Sequence, residues 1–210
     1  MDLGALSSSF QRRFEEKTAA REKALSASRR SIRASANAIR AIHRRDFEQA
    51  EQLMAESRAA LDSGKEAVAD QRDVYYAGFL QDAQKEYAEA RLTNAVVQDA
   101  ELPSPDDLNV ELAPYLNGMA ETIGEARRAI LDLLRRGDVA ESERILTAME
   151  DMFYVLVSMD FPDAITGNLR RSTDVARAIM ERTRGDLSIT LVQRNLQEAL
   201  ERHARGLREG

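Results

Sequence analysis

The chain has 210 residues, of which 43% are apolar and 31% are charged, with 10 Gly, 4 Pro and no Cys. This length suits one domain, so we predict a single helical domain over residues 1–210, with residues 1–10 as a candidate disordered N-terminus. The lack of cysteine excludes disulfide bonds, thiolate metal sites and cysteine nucleophiles. No apolar run could cross a bilayer and no signal peptide is recognisable, so we expect a cytoplasmic protein with no membrane partner.

The charge is distributed unevenly along the chain. Residues 11–45 hold eleven Lys or Arg against three Glu, a local net charge of +8, although the whole chain carries −6. The remainder therefore carries −14. A basic segment on an acidic body predicts a polyanion-binding site that is confined to one surface.

The hydrophobic pattern is helical along nearly the whole chain. Asp46 with Gln49 predicts a capping box, Gly137 a helix end, and the prolines of AELPSPDD a loop, while Pro114 is a candidate bend. The predicted helices cover about residues 8–45, 46–68, 71–98, 106–136, 138–158 and 169–205. Strand alternation is absent from the sequence. The fold class predicted is all-α, an antiparallel bundle of about six to seven helices.

Arginines form a ridge along the first predicted helix, and we call this set the arginine ridge. It consists of Arg29, Arg33, Arg40 and Arg44. At about 100° per residue they lie within roughly 60° of one another. They flank an apolar line formed by Leu25, Ile32, Ala36 and Ile39. No acid four residues away in the same helix neutralises them. Because guanidinium groups fit phosphates, the ridge is a candidate phosphate-binding surface, with a solvated face as the alternative.

Two pairs of glutamates lie at helical spacing, Glu86 with Glu89 in KEYAEA and Glu121 with Glu125 in AETIGEA. On a helical wheel Glu86 lies at the border of the core and Glu89 lies further round, whereas the second pair points away from the core. Carboxylates without His or Cys favour a hard cation such as Mg²⁺ or Mn²⁺, which can activate water for phosphodiester hydrolysis. The spacing alone fits ordinary solvated charges equally well.

Several segments resemble the translin family, and particularly its Trax branch. Trax has a Q-E-Y-x-E-A segment and a Y-L-x-G-x-x-D-x-x-G-E-x-x-R segment, and the matching stretches here are KEYAEA and YLNGMAETIGEARR. The basic SRRSIRASANAIRAIHR and the later GDLSITLVQ are similar to the family's first helix and last motif. Translin itself carries basic residues where this chain has the acidic GFLQDAQKEYAEA, so the resemblance is to Trax. It covers most of residues 25–195.

This resemblance implies a metal-dependent endoribonuclease that acts on single-stranded RNA or short RNA fragments. Matched to the two motifs, Glu86, Glu89, Glu121 and Glu125 are expected to be the catalytic metal ligands for Mg²⁺ or Mn²⁺. Glu121 stands where Trax has Asp, which would shift the ion by about one methylene. The arginine ridge would bind RNA, with single-stranded DNA as a further candidate.

The resemblance also implies assembly. Family members form hollow octameric barrels that handle RNA inside, so we expect a homo-oligomer, an octamer, with a second translin-like subunit as an alternative partner.

Other functions compete with this one. A non-catalytic translin-like protein would bind single-stranded nucleic acid without cleaving it. A helical nucleotide pyrophosphohydrolase would need an E-E-x-x-E run, but the doubled Glu15 and Glu16 are followed by Ala19 at the third acidic position. A purely structural bundle would neither bind RNA nor cleave it.

Overall fold

A computed structural model describes residues 2–209, and within that range the regular secondary structure is helical throughout. The helices are α1 (Leu3–His43), α2 (Phe47–Ala67), α3 (Arg72–Tyr75), α4 (Phe79–Gln98), α5 (Pro105–Leu108), α6 (Leu112–Arg135), α7 (Val139–Ser158), α8 (Asp163–Thr166) and α9 (Leu169–Glu209). This confirms the predicted all-α class. Among the described residues, none of the helices combines the length and apolar character that a membrane span requires.

The chain divides into two compact units, Met1–Gly118 and Met119–Gly210, with the boundary inside α6. In the first unit, α1 packs along α2 and α4, and α2 also packs on α4. In the second unit, α7 packs against α9, and its fully buried side chains recur every three or four residues. These are Ile145, Met149, Met152 and Leu156. The single domain over residues 1–210 stays a prediction.

The buried face of α1 consists mainly of alanine and serine, with Ile39 and Ile42 near its end. The apolar line predicted for this helix lies at the edge of that face, because Leu25 and Ile32 are only half-buried. Small side chains let the α1 backbone approach α2 closely. There the Ser57 hydroxyl of α2 lies 2.8 Å from Ser31 Oγ and 2.7 Å from Ser35 Oγ, all three buried. Polar groups that are buried in this way must satisfy one another.

Most predicted helix ends are confirmed. The Asp46 side chain accepts a hydrogen bond from the Gln49 N–H, and the Asp138 side chain accepts one from the Glu141 N–H, so both residues cap helices. The predicted capping box at Asp46 is only half formed, because Gln49 Oε1 accepts from Arg44 Nη2 at 2.8 Å while the Asp46 N–H donates to Ala41 O at 2.9 Å. At the end of α6, Gly137 has φ +78°, and the Asp138 N–H donates to Leu133 O at 3.0 Å. This is the Schellman ending that the glycine predicted.

Some breaks were missed by the sequence pattern. The predicted helix over residues 71–98 is interrupted at Gly78, whose φ of +102° is incompatible with a continuous helix. Asn109, in the left-handed region, likewise separates α5 from α6. Pro114 does not bend α6, because it lies in the first turn, where its missing N–H is not needed. Residues 3–10, part of the candidate disordered N-terminus, belong to α1.

The serine contact between α1 and α2 gives a test of this packing. Ser57→Ala removes the partner of two buried hydroxyls, so we expect the free energy of unfolding to fall by about 1–3 kcal/mol. The matched control is Ser26→Ala, because Ser26 is exposed on α1 and its loss should change stability by less than about 0.5 kcal/mol. Urea unfolding monitored by circular dichroism measures both. Equal effects of the two substitutions would show that the buried hydroxyls contribute nothing.

Candidate functional site

Helix α4 carries the first pair of candidate acids and is buried on several sides, because α1 and α2 both pack on it. Glu89 is only 9% exposed, whereas Glu86 is half-buried. The helical wheel placed Glu89 further from the core than Glu86, and that expectation was wrong. A helical wheel with one apolar line describes a helix that is covered by one neighbour. Helix α4 is covered by both α1 and α2, so polar residues such as Gln84 and Thr93 are buried beside its apolar ones.

Gly118 brings the start of α6 directly onto α4. A Cβ built at this position would lie 2.7 Å from the Lys85 carbonyl oxygen and 3.1 Å from both the Glu89 nitrogen and the Ala88 Cβ. Only glycine permits this approach of two helix backbones. The sequence pattern missed its role, although a glycine inside a helix costs about 1 kcal/mol relative to alanine and therefore calls for a packing reason.

Hydrogen bonds in the same unit hold the loop before α6 in place. The buried Gln84 side chain accepts a bond from the Glu111 N–H at 2.8 Å, and Arg58 Nη1 donates to Leu108 O at 2.8 Å. Lys65 Nζ donates to Asn109 O, and burial lowers the pKa of this lysine. These bonds to the backbone at residues 108–111 determine where α6 begins.

Glu121 follows Gly118 by three residues on the same continuous helix, so its side chain lies near the side of α6 that faces α4. Glu86, Glu89 and Glu121 each offer a carboxylate oxygen, and these three atoms all lie within 4.8 Å of one another. We call them the glutamate cluster. Opposite oxygens around an octahedral Mg²⁺ are about 4.2 Å apart, and Ca²⁺ accepts wider spacing. The cluster could therefore hold one metal ion through hard oxygen ligands.

The fourth predicted acid lies one turn beyond this cluster. Among the described residues, the carboxylates close enough to share an ion are those of the glutamate cluster, and Glu125 is outside that group. Its carboxylate lies 3.8 Å from Arg128 Nη1 on the next turn of α6. At the other end of the site, Lys85 Nζ lies 3.3 Å from Glu86 Oε1.

The arginine ridge is exposed along its whole length, on the side of α1 roughly opposite its buried face. Arg40 donates to Asn37 Oδ1 at 2.7 Å, and Arg44 donates to Gln49 Oε1 at 2.8 Å. Among the side chains that the structure describes, none forms a hydrogen bond or ion pair with the side chain of Arg29 or Arg33. Because α1 packs on α4 through its buried face, the ridge points away from α4. The ridge and the acids of α4 therefore lie on different sides of α1.

Comparison with known proteins identifies solved structures that share this fold. No family model matches the sequence. An uncharacterized protein of Methanocaldococcus jannaschii is 34% identical over 133 residues, which are 63% of this chain and 60% of that protein. Two solved structures, of AfC3PO and of an AfC3PO complex with duplex RNA, are 34% identical, with TM-scores of 0.82 and 0.79. Each match covers 89% of this chain and 97% of the other.

A third structure, of apo-NeC3PO, is 20% identical with a TM-score of 0.76 over 90% of this chain and 97% of the other, and supports the fold alone. Together the helices and these likenesses define an all-α protein with the helical fold of translin and C3PO. The chain belongs to the C3PO-like proteins of the translin family.

The close approach at Gly118 is testable by adding one methyl group. Gly118→Ala forces its Cβ against the Lys85 carbonyl, so we expect the free energy of unfolding to fall by about 1–3 kcal/mol. Gly124→Ala is the matched control on the same helix, because its Cβ would meet only Ile179 Cδ1, at 3.8 Å. That control should gain about 0.5–1 kcal/mol from helix propensity. Urea unfolding measures the free energy of unfolding of both variants. A Gly118→Ala variant that is as stable as the Gly124→Ala control would contradict the close contact.

Proposed function

We propose that this chain is a metal-dependent endoribonuclease of the Trax-like branch, which cleaves single-stranded RNA or short RNA fragments. The observation that carries the proposal is the glutamate cluster, in which three carboxylates share one small volume beside the contact of α4 with α6. The acidic KEYAEA segment, where translin is basic, supports the Trax-like assignment. The cytoplasmic location stays a prediction.

The glutamates would hold Mg²⁺ or Mn²⁺, and such an ion, when bound, lowers the pKa of a coordinated water and neutralises phosphate charge. The protein's part is to position the carboxylates and the RNA. In the reaction, a water oxygen bonds to phosphorus while the bond from phosphorus to one ribose oxygen breaks. That ribose oxygen takes up a proton, and the water gives one up, so the products are a phosphomonoester and a hydroxyl group. Glu125, one turn from Glu121, is the proposed fourth acid and could accept the proton of the water.

The arginine ridge is the proposed RNA-binding surface. Arg29 and Arg33 have side chains available to phosphates, whereas Arg40 and Arg44 would have to exchange neutral amide partners for them. The likeness to a protein whose structure holds duplex RNA supports RNA as the ligand, with single-stranded DNA as a further candidate. The same likeness favours the second candidate function, binding of nucleic acid without cleavage.

We propose that the chain assembles into a homo-oligomer, an octamer. Within one chain the arginine ridge and the acids of α4 lie on different sides of α1, but in an oligomer RNA bound to the ridge of one chain could reach the acids of another. Apolar side chains are exposed along both long helices. They include Leu3, Phe10 and Phe14 on α1 and Ile189, Val192, Leu196 and Leu200 on α9. Contiguous exposed apolar side chains mark protein interfaces, which could join copies of this chain or a second translin-like subunit.

Glu89→Gln tests the metal site. Because ligand charge sets metal affinity, we expect Mn²⁺ binding to weaken at least about tenfold, and Mg²⁺-dependent cleavage of labelled single-stranded RNA to be lost. Asp82→Asn, an exposed carboxylate on the same helix, is the control and should leave both unchanged. Cleavage that survives in Glu89→Gln, or in the wild type with EDTA, would sink the nuclease. Undiminished cleavage by Glu125→Ala would remove Glu125 from the site.

The double substitution Arg29→Gln with Arg33→Gln tests the ridge. The slope of log affinity against log salt is negative, and each lost phosphate contact should make it shallower by about 0.7 for single-stranded RNA. The magnitude of the slope should therefore decrease by about 1.4 in the double variant. Arg171→Gln with Arg182→Gln makes the same charge change at exposed positions on α9 and should keep the wild-type slope. Fluorescence anisotropy in the presence of EDTA measures binding alone. Equal slopes for both double variants would remove the ridge from the RNA surface.

A further inference from the structure

The last part of α9 extends beyond the helices on which it packs. Leu187 and Leu191 still border α7, beside Glu143 and Thr147. From residue 192 onward, every side chain that the structure describes is exposed, although the helix continues to residue 209. At 1.5 Å per residue this extension is about 27 Å long. Since most of the stability of a helix in a protein comes from packing of its apolar face, an extension of this length indicates a partner.

A stripe of large apolar side chains runs along α9 into this extension, and we call it the α9 stripe. Each of its members is at least 59% exposed, and they are Ile189, Val192, Leu196, Leu200 and Leu207. At about 100° per residue they lie within roughly 80° of one another. The side chains that α9 buries in its own unit lie on the opposite face, and they include Ala176, Met180, Thr183 and Leu187. The α9 stripe therefore faces away from the helices of its unit.

The charged side chains of the extension lie on the other side of the helix and pair with one another. Arg194 Nε lies 3.7 Å from Glu198 Oε1, and Arg202 Nη1 lies 4.0 Å from Glu198 Oε2. Arg205 Nη2 lies 3.9 Å from Glu201 Oε2. The side chains that flank the α9 stripe are neutral, and they include Gln193, Gln197, Ala199 and Ala204. Two copies of this surface can therefore meet without bringing like charges together, whereas a strongly charged partner finds no complementary charge.

The spacing of the α9 stripe is the same in both directions from residue 198. Leu196 and Leu200 are equally far from this level, and so are Ile189 and Leu207. In an antiparallel pair centred there, Leu196 of each copy lies opposite Leu200 of the other. Ile189 likewise lies opposite Leu207. Such self-complementarity is what a twofold-symmetric contact between identical chains requires.

We propose that the α9 stripes of two copies of this chain pack against each other as an antiparallel helix pair, around a twofold axis at the level of residue 198. This inference rests on the proposed assembly into a homo-oligomer and names a surface that joins two copies. Two paired helices of about 20 residues remove on the order of 1,000 Å² from water, which is about the minimum for a specific protein interface.

Leu196→Glu tests the contact in the full-length chain. It places an unpaired carboxylate of each copy inside the helix pair, so we expect the dissociation constant of this contact to rise at least about a hundredfold. Asn195→Glu is the control, because it makes the same charge change at the neighbouring exposed position, away from the α9 stripe. Sedimentation velocity over a dilution series measures the mass. Leu196→Glu should lower it to half that of the wild type or less, while Asn195→Glu keeps the wild-type mass.

Introduced cysteines test the direction of the pair, since the chain has no cysteine of its own. Chains with Leu196→Cys and chains with Leu200→Cys, co-expressed with tags of different length, should form a disulfide between the two kinds of chain on mild oxidation. Each variant alone should crosslink much less, because in the antiparallel pair its two thiols are offset by about 6 Å along the helix axis. A parallel pair would give the reverse result.

The outcomes separate this contact from the assembly proposed above. If the wild type is oligomeric and Leu196→Glu keeps its mass, the α9 contact is overturned and the homo-oligomer stands. Efficient crosslinking of each cysteine variant alone, or none in the mixture, overturns the antiparallel register and does not depend on a charged variant folding. If the wild type is monomeric at every concentration, both the contact and the homo-oligomer fail. Circular dichroism verifies that each variant is folded.

Discussion

The contact between the backbones of α4 and α6 is the constraint on which the candidate site depends. At Gly118 the two helices are so close that even one methyl group would lie 2.7 Å from a carbonyl oxygen. Side chains that start from such closely spaced backbones have little freedom to diverge, so acids on the two helices are brought together without long loops. The bonds from Gln84 and Arg58 to the preceding loop fix the level at which α6 begins. A shift of α6 by one residue would turn Glu121 by about 100° around its helix.

Gathering carboxylates in this way opposes folding. Neighbouring like charges on helices are mildly destabilising, and a carboxylate such as Glu89, with only 9% of its surface exposed, also loses hydration. Nearby cations and hydrogen-bond donors offset this free-energy cost, and the ammonium group of Lys85 is one of them. In the first unit the packing of α1, α2 and α4 on one another contributes the stability that opposes this cost.

The sequence predicted the helical class and most helix ends, because these depend on local chemistry: caps, prolines and apolar periodicity. The four glutamates were singled out by resemblance to a family, since their spacing alone fits solvated charges equally well. It failed where tertiary packing decides. The burial of Glu89 could not be derived from one helical wheel, since α4 is covered by more than one neighbour. The break at Gly78 depends on a positive φ that nothing in the surrounding pattern demands. The two weak pairs of glutamates became one group of three only through Gly118, whose effect acts between helices.

The two faces of α1 differ in what they demand of a side chain. The inner face is filled with alanine and serine against α2, and a larger residue there has no space, so its constraint is steric. The outer face consists of exposed arginines, whose side chains meet no such steric limit. On the exposed side, an arginine can be exchanged for lysine without a steric conflict. On the buried side, a residue larger than the alanines and serines that face α2 would force the two helices apart, although Ile39 and Ile42 fit near the end of the helix. The two sides of one helix are therefore limited by different quantities, charge on one and volume on the other.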